Sequence, residues 1–250
     1  MQSFCHSSVE IAFFDEGDGD PVVLVHGFAS NKETNWVQPG WVSTLTRAGY
    51  RTIALDNRGH GRSTKLYQPS DYGVDKMGGD VIALMDHLGV ERADVLGYSM
   101  GGRITGCVAS TFPARVRSAI IGGIGIRLTV AGGNGEAIAK ALEAPSAADI
   151  KEPLPLGFRL FAEQTKSDLR ALAACARNQN RTITREAAAA IRVPVLVATG
   201  TKDDIAGSGP ELAALIPGAK NLDIPGRDHM RAVGDAVFKQ GVLDFLAQRP

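Results

Sequence analysis

The stretch DVLGYSMGGR, Asp94 to Arg103, sets Ser99 between Gly97 and Gly101 directly after strand-like sequence. Glycine is favoured where a backbone turns too sharply for a Cβ atom. Two glycines, each two residues from the serine, place Ser99 at the tip of a strained turn. ADVLGYS before it has the character of a strand, and MGGRITGCVASTFP after it that of a small-residue helix stopped by Pro113. Strand, Gly-x-Ser-x-Gly, helix is the context of a nucleophile elbow, which lifts the serine hydroxyl clear of the sheet. The serine then holds a rare backbone conformation at a cost of roughly 1–3 kcal/mol. The Met100 N–H falls near the helix N-terminus, where donors have no partner within the helix. A five-residue match alone arises by chance; the strand before it and the helix after it give it weight.

Working outward, strands and helices alternate. VEIAFFDEG from Val9 reads as a strand ending in a turn, and PVVLVHG as a strand whose run Val22–Val25 is unbroken in its apolar character. A strand buried on both faces, as in a parallel sheet, has this pattern. WVSTLTRAGY has helical spacing with Gly49 as its stop, and RTIALD is the next strand. DKMGGDVIALMDHLGV is a helix with Met77, Val81, Leu84, Met85 and Leu88 on one side, and VRSAIIGGIG is a strand. From 125 to 191 the alternation gives way to helical patches, GEAIAKALEA, SDLRALAACARNQ and TREAAAAIR, with KEPLPLGFRLF among them. VPVLVATG, AKNLDIPG and a last helix at about 231–247 restore it. Such alternation predicts a parallel sheet covered by helices on both faces.

A chain of 250 residues with a hydrophobic fraction of 44% can bury one large core as a single domain. Lys and Arg total 27 and Asp and Glu total 27, so the formal net charge is zero. That balance, without any basic run, offers no footprint for nucleic acid or an anionic membrane surface. Cys5, Cys107 and Cys175 follow no framework spacing and read as the reduced thiols of a cytoplasmic protein. MQSFCHSSVE has no secretory signal pattern, and no apolar run reaches membrane-spanning length.

A serine hydroxyl attacks only with a base to take its proton, and the base needs an acid to orient it. Downstream of Ser99 stands a single histidine, His229 in IPGRDHM, expected on the loop between the last strand and the last helix. His87 falls within a helix and His6 near the N-terminus, where surface or packing roles suit them. His26 and His60 belong to other motifs. The acid is expected after VPVLVATG, where GTKDDIAG offers Asp203 and Asp204. Adjacent carboxylates cannot both face one imidazole, so the other is a turn or capping residue.

With these motifs in this order the chain resembles the α/β-hydrolase superfamily over almost its whole length. HGF at His26–Phe28 resembles that family's His-Gly oxyanion loop, and DNRGHGRS at Asp56–Ser63 its Asp-x-Arg-Gly-x-Gly-x-Ser signature. The resemblance implies an α/β-hydrolase fold, with a mostly parallel central sheet, in one domain spanning 1–250 with a small helical cap inserted at 125–191. It implies Ser99 as nucleophile and His229 as base. In that family the acid commonly lies three residues after the strand-ending glycine, which from Gly200 is Asp203. The Phe28 and Met100 N–H groups would form the oxyanion hole, each such donor typically worth about 2.7–4 kcal/mol in the transition state. His26 would brace that loop, and Asp56, Arg58 and Ser63 would support its neighbour.

GIGIRL at Gly123 lacks the third glycine of a dinucleotide fingerprint, RGHGRST lacks phosphate-loop spacing, and no His-Glu-x-x-His or paired-Cys pattern occurs. No cofactor or metal is therefore expected. Relatives that open epoxides or displace halide carry aspartate at the elbow, whereas serine favours acyl transfer. The expected activity is hydrolysis of a small-molecule carboxylic ester through an acyl-enzyme on Ser99. C–C bond hydrolysis, perhydrolysis and lactone hydrolysis are the nearest alternatives, and a ligand receptor retaining the triad a more distant one. Leu128, Leu154, Leu156, Phe158 and Phe161 are candidates for an apolar acyl pocket, and packing among the inserted helices is equally open to each.

Overall fold

The apolar runs become the inner strands of one eight-stranded sheet in the computed structural model, which describes residues 2–130, 134–178 and 183–249. The strands are β1 (Gln2–His6), β2 (Val9–Glu16), β3 (Asp20–Val25), β4 (Tyr50–Leu55), β5 (Ala93–Tyr98), β6 (Val116–Gly122), β7 (Val195–Gly200) and β8 (Lys220–Ile224). Their order is β1-β2-β4-β3-β5-β6-β7-β8. β2 pairs antiparallel with β1 and β4, and every other pairing is parallel. The helices are α1 (Trp41–Arg47), α2 (Val74–His87), α3 (Met100–Thr111), α4 (Gly135–Glu143), α5 (Pro153–Gln164), α6 (Leu169–Asn178), α7 (Arg185–Ala189), α8 (Gly209–Leu215), α9 (His229–Ala232) and α10 (Ala236–Gln248).

Successive side chains on a strand face opposite ways, and β3 shows what this requires here. Val23 and Val25 enter one core with Val81 and Leu84 of α2 and Ile104 and Val108 of α3. Val22 and Leu24 enter the other with Trp41 and Leu45 of α1 and Phe238 and Val242 of α10. A strand with a core on each side has no polar position to spare, which is why its sequence is continuous rather than alternating. α4 to α7 occupy the chain between β6 and β7, with α4 packed on α5 and α6. The Gln179 end of the helix expected there lies outside the described residues.

Three features depart from the sequence reading. β1 lies at the sheet edge and buries only Phe4, too little for its periodicity to register. α8 is a short helix whose start is set by Ser208, which accepts the Glu211 N–H at 3.2 Å. The expected last helix is two: Asp228 caps α9 by accepting the Arg231 N–H at 2.9 Å, and Asp235 caps α10 by accepting the Val237 N–H at 2.8 Å. His229 therefore opens a helix instead of sitting on a loop.

The turn after β4 is pinned by buried charge. Asp56 accepts the Lys32 ammonium at 2.7 Å, the Lys32 N–H at 2.9 Å and the Arg62 N–H at 2.8 Å. Burial alone would push its carboxyl up; the neighbouring His26, the Lys32 cation and these N–H groups together outweigh it and hold the carboxyl below the usual range. Ser63 donates to the Asp56 carbonyl at 2.6 Å and accepts the Ala12 N–H at 3.0 Å, tying the turn to β2. Arg58 turns away, forking onto Asp80 of α2 at 2.7 and 2.8 Å. His60 is fully buried between these groups, and its Nδ1 donates to the Arg58 carbonyl at 3.0 Å.

Two expectations follow from this packing. A Cβ on Gly101 would stand 1.9 Å from the Val25 carbonyl oxygen, whereas one on Gly49, at φ +84°, would meet nothing within 4 Å. Gly101→Ala should cost more than about 3 kcal/mol by denaturant unfolding, and Gly49→Ala only the left-handed backbone penalty of about 1–2 kcal/mol; equal costs would contradict the close approach. The second concerns His60, whose imidazole burial, with His26 beside it, pushes down to about 3. Its unfolded value is about 6.5. Below that value the unfolded chain binds a proton that the folded chain refuses. Stability should fall as pH drops from about 6.5 toward 3, by up to about 1.4 kcal/mol per pH unit from this group. His60→Gln should flatten that slope, and an unchanged slope would mean that the group protonates in the folded state.

Candidate active site

Ser99 follows β5 at φ 56° and ψ −111°, a left-handed conformation that costs a non-glycine residue roughly 1–3 kcal/mol. Its N–H donates to the Gly122 carbonyl at 2.8 Å and its carbonyl accepts the Arg103 N–H at 3.1 Å, so β6 and α3 hold the turn from both sides. A Cβ on Gly97 would fall 2.0 Å from the Gly101 carbonyl oxygen. The strand and the helix therefore approach more closely than any side chain permits, and Ser99 is the residue left at the apex.

The structure brings Ser99, His229 and Asp203 together. The Ser99 hydroxyl lies 2.9 Å from His229 Nε2, and His229 Nδ1 lies 2.8 Å from Asp203 Oδ2. A carboxylate only accepts, so the imidazole proton sits on Nδ1 and leaves Nε2 as the acceptor for the serine hydroxyl. The Asp203 side chain is fully buried, and its Oδ1 accepts the N–H groups of Ile205 and Ala206 at 2.9 Å each. Those bonds aim Oδ2 at the imidazole. Asp204 is exposed. Tyr98 fixes the remaining side: its hydroxyl donates to the His229 carbonyl at 2.6 Å, and its ring centroid stands 5.6 Å from the imidazole.

The turn at Gly27–Ser30 meets Ser99 from across the sheet. A Cβ on Gly27 would lie 3.5 Å from the Ser99 Cβ. The Gly27 N–H donates to Asn35 Oδ1 at 3.0 Å, and the Ser30 N–H to the Gly27 carbonyl at 3.3 Å. The Asn57 N–H donates to His26 Nε2 at 2.9 Å, so the His26 proton is on Nδ1, which donates to the Gly27 carbonyl at 2.7 Å. Burial holds His26 below its usual range, in the neutral form this bracing requires. Among the described residues the Phe28 N–H meets no backbone acceptor. Met100 is the first residue of α3, so its N–H belongs to the helix's first turn.

A cavity of about 280 Å³ opens onto these groups, with Gly27, Phe28, Ser99 and His229 in its wall. Phe158 and Phe161 of α5 and Met230 of α9 make it mainly apolar, while Thr34, Asn35 and Gln38 add a polar margin. Of the apolar residues singled out in the sequence, Phe158 and Phe161 line it. Leu128 is instead fully buried in the core against α3, and Leu154 and Leu156 lie outside the lining. Among the described residues no three His, Cys, Asp or Glu side chains are grouped to hold a metal ion. No helix among them is long and apolar enough to cross a membrane.

Nothing in the sequence marks Tyr98, Asn35 or Lys32 as part of the site. Tyr98 stands beside the serine in the elbow, a position that pattern matching leaves free. Lys32 is 1% exposed, and nothing in its sequence neighbourhood marks it as a buried cation.

A family profile described as alpha/beta hydrolase fold matches residues 20–159. Over 120 residues, 48% of this chain, it is 40% identical to the dihydrolipoyllysine-residue acetyltransferase component of the acetoin cleaving system of Pseudomonas putida. Over 117 residues, 46% of this chain, it is 35% identical to epoxide hydrolase B of Mycobacterium tuberculosis. The matched stretches span 29% and 30% of those two relatives' own lengths. The crystal structure of a hydrolase from Pseudomonas aeruginosa PA01 superposes with a TM-score of 0.82 at 26% identity, covering 98% of this chain and 97% of the other. With the elbow, the sheet order and the profile in agreement, the chain belongs to the α/β-hydrolase fold family.

Proposed function

We propose that the chain is a serine hydrolase that cleaves a small carboxylic ester through an acyl-enzyme on Ser99. The observation that carries this reading is the run Ser99 Oγ, His229, Asp203, with spacings of 2.9 and 2.8 Å, at the wall of a mostly apolar cavity. His229 Nε2 takes the Ser99 proton as Oγ attacks the acyl carbon. The carbonyl oxygen becomes an oxyanion facing the Phe28 and Met100 N–H groups. Asp203 stabilises the imidazolium, which then gives its proton to the leaving alcohol as the carbon–oxygen bond breaks. Water enters, His229 takes its proton, the hydroxide oxygen bonds the acyl carbon, and the acid leaves as Ser99 recovers the proton.

The relatives named above include an epoxide hydrolase, yet the elbow here carries serine where epoxide-opening members carry aspartate, which favours acyl transfer. Helices α4–α7 act in this reading as a cap, with α5 presenting Phe158 and Phe161 to the acyl group. Serine-elbow reactions on lactones, C–C bonds or peracids use the same three side chains, and product analysis separates them from simple esters.

A panel of acyl esters of graded chain length, with lactones and thioesters included, tests the reading. Turnover should be lost in Ser99→Ala with the fold intact. Asp203→Asn, which keeps the shape and removes the charge, should lose on the order of 10⁴ in kcat, while Asp204→Asn keeps most activity. Undiminished turnover in Ser99→Ala, or equal mild effects of the two amides, would reject the assignment. Phe158→Ala and Phe161→Ala should shift chain-length preference by more than they slow the shortest ester; equal loss on every substrate would indicate packing alone.

A further inference from the structure

The turn that carries Phe28 is held by three groups, and one of them comes from the helices between β6 and β7. Asn35 holds the Gly27 N–H and His26 the Gly27 carbonyl. The third anchor is Thr165 at the C-terminal end of α5, whose Oγ1 lies 2.8 Å from the Ala29 carbonyl oxygen. The same hydroxyl is 3.1 Å from the carbonyls of Phe161 and Ala162, and 2.9 Å from Ser167 Oγ. Those two carbonyls already accept backbone N–H groups, from Thr165 and Ser167. The Ala29 carbonyl accepts none among the described residues, and Ala29 is fully buried. A buried carbonyl without a donor is costly, so the single Thr165 hydroxyl proton belongs on Ala29, and Ser167 donates to Thr165.

Ala29 needs such an anchor. It holds φ at 57°, the left-handed region, immediately after Phe28. α5 also reaches the turn through Phe158, whose ring packs edge-on against Phe28 at 5.6 Å between centroids. The helix that lines the cavity with Phe158 and Phe161 thus grips the two residues that aim the Phe28 N–H. We propose that Thr165 is a positioning residue through which α5 sets the oxyanion donor. This rests on the serine-hydrolase reading above.

The test compares wild type, Thr165→Val and Thr165→Ser. It follows the rate of Ser99 modification by a small alkyl fluorophosphonate, whose phosphoryl oxygen occupies the oxyanion position without a natural substrate, and kcat and KM on the shortest ester turned over. Thr165→Val should slow phosphonylation and lower kcat together by about tenfold, less than the roughly 10²–10³ expected on deleting an oxyanion donor itself. KM should stay within about twofold on the uniform-binding criterion, and Thr165→Ser, which keeps the hydroxyl, should restore both rates. A valine variant that labels Ser99 at the wild-type rate, a loss confined to KM, or a serine variant as slow as valine would overturn the proposal. Should the valine variant not fold, Thr165→Ala gives the same comparison without added bulk. Absence of Ser99 labelling in the wild type would instead overturn the serine-hydrolase reading, and the proposal with it.

Discussion

The contact on which the rest of the molecule depends is the approach of the α3 N-terminus to the ends of β3 and β5. Gly101 sits where a Cβ would fall 1.9 Å from the Val25 carbonyl oxygen, and Gly97 where one would fall 2.0 Å from Gly101. No other residue type fits either place, and the chain between them has too few residues to turn without strain. Ser99 takes that strain as a positive φ. The reward is geometric: the hydroxyl stands at the apex of the turn, directly before the N-terminus of α3. Bonds from Gly122 and Arg103 make this arrangement a property of the sheet and helix rather than of the serine.

Around that apex, several buried polar groups have partners that fix their protonation and direction. His26 is neutral because burial disfavours its cation, and its two nitrogens are committed to Asn57 and Gly27. Asp56 keeps its charge because Lys32 supplies the opposite one at 2.7 Å. A buried pair of this kind adds little net stability, and removing one partner is costly. Its effect is to pin the chain after β4 to residue 32, and so to set the register of the loop carrying Gly27 and Phe28. The imidazole of His229 is held likewise from three directions, by Asp203, by Tyr98 and by the start of α9.

The fold was legible because its inner strands are buried on both faces. Val22–Val25 and the flanks of the Gly-x-Ser-x-Gly turn can be read as strands without knowing their neighbours. β1 could not, since one buried Phe4 leaves no period to detect, and the division of the last helix depends on Asp228 and Asp235 capping separate pieces. The site was legible to the extent that its chemistry is confined to rare residues: one serine between two glycines, one downstream histidine and a pair of aspartates after a strand. Choosing between the aspartates by counting from Gly200 rests on family resemblance; in the structure only Asp203 faces the imidazole. Leu128, Leu154 and Leu156 were indistinguishable from Phe158 and Phe161 in sequence, because apolar side chains of a helical insertion look alike whether they face a core or a cavity. Lys32, Tyr98 and Thr165 act through contacts far along the chain, which no local pattern records.

The proposed acyl-enzyme on Ser99 can be trapped directly. The protein is mixed with excess 4-nitrophenyl acetate, quenched in acid during the first turnover, digested and examined by mass spectrometry. A burst of nitrophenol matching the protein concentration and a single acetyl group on Ser99, lost once the ester is consumed, are the expected result. Turnover that leaves Ser99 unmodified throughout, or an acetyl group carried by another residue, would contradict it.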